Sequence, residues 1–270
     1  MVWGIAVPRE RKGADLRIRI LGAHNFESRD TRLISLLVDD ILAVDAGGLT
    51  SSLTFSEQEQ IKAILLTHGH FDHLRDIPIL ALYRLYRTTI SVYGLSETLE
   101  ILSTHLVDGL IYPKFTEMPS KEDPTLRVFP LKPYKLASVE GYQVLPLPVK
   151  HTISTVGYLI SKDGRSFFYS GDTGPGVASC WDYISPQVLL LDVTLPNQFA
   201  DQAERVGHLT PGLAGQELKR FLDLKGYLPK VIFLHLSPQF ETEINREAKE
   251  LARELGADIE VAFEGMELEV

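Results

Sequence analysis

Six consecutive residues, His68-Gly69-His70-Phe71-Asp72-His73, place three imidazoles and a carboxylate directly after an apolar run, Ile61-Lys62-Ala63-Ile64-Leu65-Leu66-Thr67. Burying such groups costs free energy unless they are hydrogen-bonded, paired or bound to a cation, so this density reads as a metal site rather than as packing. At an extended strand end side chains alternate with period two, which puts His68 and His70 on one side and within reach of one ion. A helix starting near Asp72 would project Asp72 and His73 about a hundred degrees apart, close enough to serve a second ion beside the first.

One loop cannot close two coordination shells, so further ligands are expected at other strand ends. Three more apolar runs end in suitable residues: Val144 to Lys150 leads into His151, Ser166 to Gly171 into Asp172, and Val231 to Leu234 into His235. Asp45 follows Ile41-Leu42-Ala43-Val44 and precedes Ala46-Gly47-Gly48. It suits a turn, and it also suits accepting the second ring N–H of a ligating histidine. Thr210 is expected to cap a helix with Pro211 at its first position and Leu213, Leu218, Phe221 and Leu222 as its buried stripe. His208 precedes that helix, outside its packed face, and is free to project into a site.

From about Leu16 to its end the chain resembles the metallo-β-lactamase-fold hydrolases, whose pattern is His-x-His-x-Asp-His followed by His, Asp and His at later strand ends. The resemblance implies an α/β fold, a four-layer αβ/βα sandwich. It implies a first metal held by His68, His70 and His151, a second held by Asp72, His73 and His235, Asp172 bridging them, and Asp45 with Thr210 supporting from behind. Gly207-His208-Leu209-Thr210-Pro211 is similar to an element of class II cyclic-nucleotide phosphodiesterases and, more distantly, of tRNase Z and cyclic-phosphate hydrolases. His151 to Tyr158, Tyr169 to Thr173 and Phe233 to Pro238 are similar to those families as well.

The resemblance also implies an activity, that of a phosphodiesterase acting on a small phosphodiester, a cyclic nucleotide among the candidates. Two divalent ions, zinc first with manganese or iron as alternatives, would generate hydroxide to attack phosphorus. Asp72 and Asp172 would sit in the catalytic centre, and His208 would act on the phosphodiester without binding metal. Two rival readings are a non-enzymatic diiron oxygen or redox sensor on the same scaffold, and a carboxylic-ester, thioester or lactone hydrolase in which His208 would have no phosphate to serve. Phe71 and Asp76 depart from the phosphodiesterase pattern, which has Leu and a small residue there, and both are expected near the substrate.

Composition narrows the partners. The formal net charge of −9 disfavours a tRNA binder, because phosphate-backbone affinity rests on clustered Lys and Arg. Only twenty residues separate His151 from Asp172, too few for the RNA-gripping arm that tRNase Z carries there. With 270 residues, 44% of them hydrophobic, the chain suits one domain over 1–270. No run of about twenty apolar residues suggests a membrane span, and Met1-Val2-Trp3-Gly4 lacks a signal peptide's layout. The single Cys180 fits a cytoplasmic location, and a homodimer stays open.

Strands are expected near Leu16–Leu21, Leu33–Val38, Ile41–Val44 and Ile61–Leu66, and helices after Asp72, over Ser96–Leu110 and over Glu241–Leu255. Asp258–Phe263 and Met266–Val270 read as a strand pair. The proline-broken stretch Ile111–Pro133 reads as loop that walls the pocket. No internal repeat is visible, although a two-sheet sandwich can hide one. His24 reads as structural or substrate-facing and His105 as a surface or core-edge residue. Arg29, Arg32, Arg75 and Arg84 are the arginines considered for phosphate contact.

Overall fold

Short apolar runs bounded by turn residues become strands, and these sort into two seven-stranded sheets in the computed structural model, which describes residues 16–270. The segment Met1-Val2-Trp3-Gly4 lies outside the described residues. In the first half, β1 (Arg17–Gly22), β2 (Ser35–Val38) and β3 (Leu42–Val44) form an antiparallel meander. Then come α1 (Leu49–Ser52), α2 (Phe55–Gln58), β4 (Ala63–Leu65), α3 (Phe71–Leu74), α4 (Ile77–Arg84), β5 (Ile90–Gly94), α5 (Ser96–Ile101) and β6 (Leu126–Pro130), with β3 to β6 pairing in parallel. Thr54 starts α2 with a reciprocal cap, its hydroxyl accepting from Glu57 N–H and its own N–H donating to the Glu57 carboxylate.

The second half repeats the plan. β7 (Ala137–Val139), β8 (Tyr142–Val149), β9 (Thr155–Lys162) and β10 (Arg165–Tyr169) pair antiparallel. The order continues as β11 (Val188–Asp192), α6 (Ala200–Val206), α7 (Pro211–Lys225), β12 (Lys230–Leu234), α8 (Glu241–Leu255) and β13 (Ile259–Val261), and β10 to β13 pair in parallel. β14 (Glu267–Glu269) then crosses back to pair with β1. Each sheet therefore runs through three antiparallel pairings followed by three parallel ones, a duplication of plan that the sequence does not display. Pro146 and Pro148 fit in β8 because β7 ends opposite Val144, so the missing N–H groups fall beyond its last partner.

One core fills the space between the sheets, with Ile18, Ile20, Leu36, Val44 and Leu65 meeting Tyr142, Val156, Tyr158, Ile160 and Ile232. A second seals α1, α3, α4 and α5 onto the first sheet, and a third seals α7 and α8 onto the other, around Trp181, Phe221 and Phe233. The order helix, sheet, sheet, helix is the expected four-layer sandwich. In both sheets the parallel strands β3, β4, β10, β11 and β12 end at one edge, where Asp45, Thr67, Asp172, Asp192 and His235 stand within three residues of those ends.

Three expectations change. Asp258–Phe263 and Met266–Val270 do not pair with each other: β13 joins β12 in one sheet, while β14 joins β1 in the other. The chain crosses between sheets there because each sheet has an open edge to fill. The stretch 111–133 is not only loop, since Leu126–Pro130 is a strand whose Val128 packs beside the first sheet's outer core. In α7 the buried face is Pro211, Ala214, Gly215, Glu217, Leu218 and Phe221, while Leu222 is exposed. Glu217 is tolerated inside because its carboxylate accepts Gly176 N–H and Ala178 N–H.

Candidate metal and catalytic centre

The sheet edges bring the seven expected ligands into two touching groups. In the first, His70 Nδ1 lies 3.0 Å from His68 Nε2 and 3.2 Å from His151 Nε2. Asp172 Oδ2 completes it, 3.6 Å from His68 Nε2 and 3.7 Å from His151 Nε2. In the second, Asp172 offers its other oxygen, Oδ1, 3.2 Å from His73 Nε2 and 3.4 Å from His235 Nε2. Asp72 Oδ2 stands 3.7 Å from His73 Nε2 and 3.3 Å from His235 Nε2. A tetrahedral site with bonds of about 2.0–2.1 Å has ligand-to-ligand edges of roughly 3.3 Å, so both groups have the spacing of a coordination shell.

Hydrogen bonds behind the rings fix which nitrogen faces inward. His73 Nδ1 donates to Asp45 Oδ2 at 2.7 Å, and His151 Nδ1 donates to Gly207 O at 2.9 Å. Thr67 gives its hydroxyl proton to Asp45 and so can only accept from His68 Nδ1, at 3.0 Å. Thr194 gives its proton to Asp192 Oδ1 at 2.7 Å and accepts from His235 Nδ1 at 2.9 Å. With these protons placed outside, four Nε2 atoms present lone pairs to the centre, the form that binds metal. Two atoms of the centre remain without a hydrogen-bond partner although fully buried: His73 Nε2 and Asp172 Oδ1, which face each other in the second group. Natural interiors rarely leave such atoms orphaned, and a cation between them satisfies both.

Electrostatics point the same way. Burial opposes charging His73, yet Asp172 and Asp45 hold its pKa well above the ordinary value, so the site calls for positive charge. His68, likewise buried and beside His73, is pushed well below the ordinary value by burial and by that neighbour. Burial would raise the Asp172 carboxyl, but His235, His73 and His68 hold it well below the usual carboxylate range. Asp45 and His235 both adopt left-handed backbone, with φ of 56° and 65°. Few non-glycine residues do so, and such strain gathers at functional sites.

His208 stands beside the ligand groups. Its ring stacks on His235 with centroids 5.1 Å apart, and its Nδ1 donates to Asp192 Oδ2 at 2.7 Å. Burial works against its charged form, but the Asp192 carboxylate outweighs it and lifts the pKa to about 9. That shift favours the charged imidazolium at neutral pH. Asp192 also belongs to a cluster with Asp172, His208 and His235, but its Oδ1 takes Thr194 and its Oδ2 takes both His208 and Thr173 N–H, which leaves it little capacity for a metal.

Sequence reasoning misses Asp192 and the two threonines. A signal for Asp192 is present, since it ends Val188-Leu189-Leu190-Leu191 as Asp45 and Asp172 end their own runs. Thr210 is used as the cap of α7, its hydroxyl accepting from Leu213 N–H, and it holds the helix that His208 precedes. His24 is structural: its Nδ1 meets Glu264 at 2.6 Å and its chain bridges Leu33 and Leu236. His105 is exposed.

A cleft of about 540 Å³ opens over the centre, lined by Asn25, Phe26, Glu27, Phe71, Arg75 and His208 together with several ligand residues. Ile111–Pro133 contributes nothing to it; the loop after β1 does that work, because it packs on Leu236 and Ser237 next to His235. Phe71 does face the cleft as expected, but Asp76 is buried, holding Thr50 and Arg75. Arg29 and Arg32 line a separate surface pocket, and Arg84 is buried, spent on Gln58 and Ile61 carbonyls.

Residues 44–235 match the model of the beta-lactamase superfamily domain. The chain belongs to that superfamily. A metal-dependent hydrolase of Myxococcus xanthus is 29% identical over 181 residues, covering 64% of this chain and 56% of the relative. A 3′,5′-cyclic-nucleotide phosphodiesterase of Aliivibrio fischeri is 23% identical over 236 residues, covering 69% of this chain and 68% of the relative. The chain thus spans little more than half the length of the first of these superfamily relatives. The metallo-β-lactamase fold protein YhfI of Bacillus subtilis superposes with a TM-score of 0.76 at 16% identity, over 95% of this chain and all of that one, and shares the fold. Among the described residues, no helix is long and apolar enough to cross a membrane.

Proposed function

We propose that this superfamily member is a metal-dependent hydrolase with a binuclear centre that cleaves a small phosphodiester, for which a cyclic nucleotide is the leading candidate. His68, His70 and His151 would hold one ion, Asp72, His73 and His235 the other, and Asp172 would bridge them. Bound there, such ions supply Lewis acidity toward a phosphoryl oxygen and a water acidic enough to attack at neutral pH. Asp45 and Asp192 keep the ligand rings in the receptive tautomer. His208, cationic and within stacking distance of His235, directs its second N–H toward the cleft and can protonate the departing ester oxygen.

The observation that carries this reading is the Asp192–His208 pair. A charged donor beside a metal centre, its own nitrogen tied up and unavailable as a ligand, suits a substrate that expels a basic alkoxide from phosphorus. The net charge of −9 and the activity for which the Aliivibrio fischeri relative is named support a small substrate over a polynucleotide.

Replacing His208 with Ala tests it. Two metals should stay bound, and turnover of an alkyl phosphodiester should fall by about 10²–10⁴, the range for a lost general acid. A nitrophenyl ester, whose leaving group needs little protonation, should lose less. An unchanged rate on every phosphodiester would remove the case for phosphorus chemistry, and lost metal would make His208 a ligand.

A further inference from the structure

The cleft is lined by candidate ligand residues, Glu27, Arg75 and His208, and two aromatic rings stand among them. Phe26 is 57% exposed and Phe71 60% exposed, and both line the cleft. A single exposed phenylalanine is ordinary. Two on the wall of one cleft, beside the candidate ligands and each on a braced segment, are not scatter. Asn25 N–H donates to Leu236 O at 3.1 Å and its Nδ2 to Ser237 Oγ at 3.1 Å, which fastens the Phe26 segment beside His235. Phe71 is the first residue of α3, between His70 and Asp72. The Glu27 carboxylate pairs with the Arg75 guanidinium and so joins the two ring-bearing segments. Arg75 is held in turn by buried Asp76, Nε to Oδ1 at 2.8 Å, and Asp76 accepts Thr50 N–H at 2.7 Å.

We infer that Phe26 and Phe71 form the specificity-determining subsite of this cleft and stack a flat aromatic ring that the substrate carries within a sugar's length of its phosphorus. The inference rests on the phosphodiesterase reading above. His208 and the metal groups account for the phosphoryl end of such a ligand, and the rings offer apolar faces, already fixed in place, to the other end. Stacking tolerates any base, because each has a π-face, so these rings would select for a ring without selecting which one. A nucleoside or an aryl ester would satisfy the same surface.

Calorimetric binding to the metal-loaded protein tests this independently of turnover, with adenosine 5′-monophosphate, phenyl phosphate and ribose 5-phosphate as probes. Adenosine monophosphate should bind about tenfold or more tighter than ribose 5-phosphate, as one stacked base implies. Phe26→Ala and Phe71→Ala should each erase most of that preference while leaving ribose 5-phosphate affinity unchanged, and Phe71→Leu, apolar but not flat, should restore little of it. Both side chains are largely exposed, so these variants should fold; unchanged melting and metal content check that. A preference for phenyl phosphate without one for the nucleotide keeps the subsite and assigns it to aryl esters. Equal affinity for all three probes, or alanine variants that keep the preference, overturns it. Hydrolysis of bis(4-nitrophenyl) phosphate by the unaltered protein reads the underlying premise separately: no turnover there sinks the phosphodiesterase reading, while the ring subsite is decided by calorimetry alone.

Discussion

Asp45 and Asp192 do the same work at two ends of the centre. Each accepts a threonine hydroxyl proton, and that threonine accepts the Nδ1–H of a ligand-forming histidine, Thr67 for His68 and Thr194 for His235. Each also takes a proton directly from another ring, His73 at Asp45 and His208 at Asp192. Every donor around Asp192 points at an oxygen, so Asp192→Asn must turn an NH₂ toward at least one N–H or O–H. The expected outcome is a double loss: metal affinity down by about 10–100-fold through His235, the usual effect of a lost supporting partner, and turnover of alkyl phosphodiesters reduced as in His208→Ala. Metal titration and kinetics on the one variant measure both. If metal affinity holds while turnover falls, the Thr194 relay is dispensable and only the His208 contact matters. The candidate ligand residues are legible in the sequence because their spacing is dense and their types are costly to bury. Asp192 shows only the signal of a strand-end aspartate, and its role becomes visible once β11 lies beside β12 and brings Thr194 to His235.

At the scale of elements, the turn between α6 and α7 sets two functions at once. Gly207 ends α6 with φ +76°, its carbonyl accepts His151 Nδ1–H, and the next residue is His208. A Cβ there would stand 2.9 Å from His151 Nδ1 and 3.1 Å from its Cα, so Gly207→Ala must push His151 or move the turn. Gly226 closes α7 with nearly the same φ, +75°, and nothing lies within 4 Å of its Cβ position. Both alanine variants should lose about 1–2 kcal/mol of stability to left-handed backbone, but only Gly207→Ala should also weaken metal binding and slow turnover. Equal metal affinity in the two would show that the His151 contact can relax at no cost. The single-turn helices α1 and α2 are too short to show a periodicity, whereas the strands up to Leu66 and the helix over Glu241–Leu255 follow from one. The C-terminal strand pairing does not, since two adjacent apolar runs look like a hairpin whether they meet each other or two separate sheet edges. The cleft wall is likewise misassigned to Ile111–Pro133 by sequence: proline density marks irregular chain but says nothing about which surface it covers, whereas Phe26 sits there through backbone bonds from Asn25 to Leu236 that no local pattern announces.

Across the whole molecule, the candidate ligand set is divided between the sheets. The first half supplies His68, His70, Asp72 and His73, and the second supplies His151, Asp172 and His235, so each group of ligand atoms draws on both. Among the described residues, hydrogen bonds also tie the halves near this edge: Val156 N–H to Thr67 O, Tyr158 O–H to Leu66 O, Tyr169 O–H to Asp45, Asn25 N–H to Leu236 O, Leu236 N–H to Ala23 O and Asn25 Nδ2–H to Ser237 Oγ. Ions bound at the centre would therefore act as a brace as well as a reagent, relieving the orphaned His73 Nε2 and Asp172 Oδ1 and the repulsion among clustered carboxylates. A ligand at a hundredfold excess over its Kd stabilises the folded state by about 2.7 kcal/mol. For a domain somewhat larger than 150–250 residues each kcal/mol is worth about 2–4 °C at most. Exhaustive chelation should then abolish hydrolysis and lower the melting temperature by roughly 5–10 °C, and added zinc or manganese should restore both together. Metal depletion verified by elemental analysis with activity intact would rule out the proposed chemistry. Lost activity without any change in melting would mean that the ions bind too weakly to shift the folding equilibrium, and that they contribute to reaction but not to cohesion.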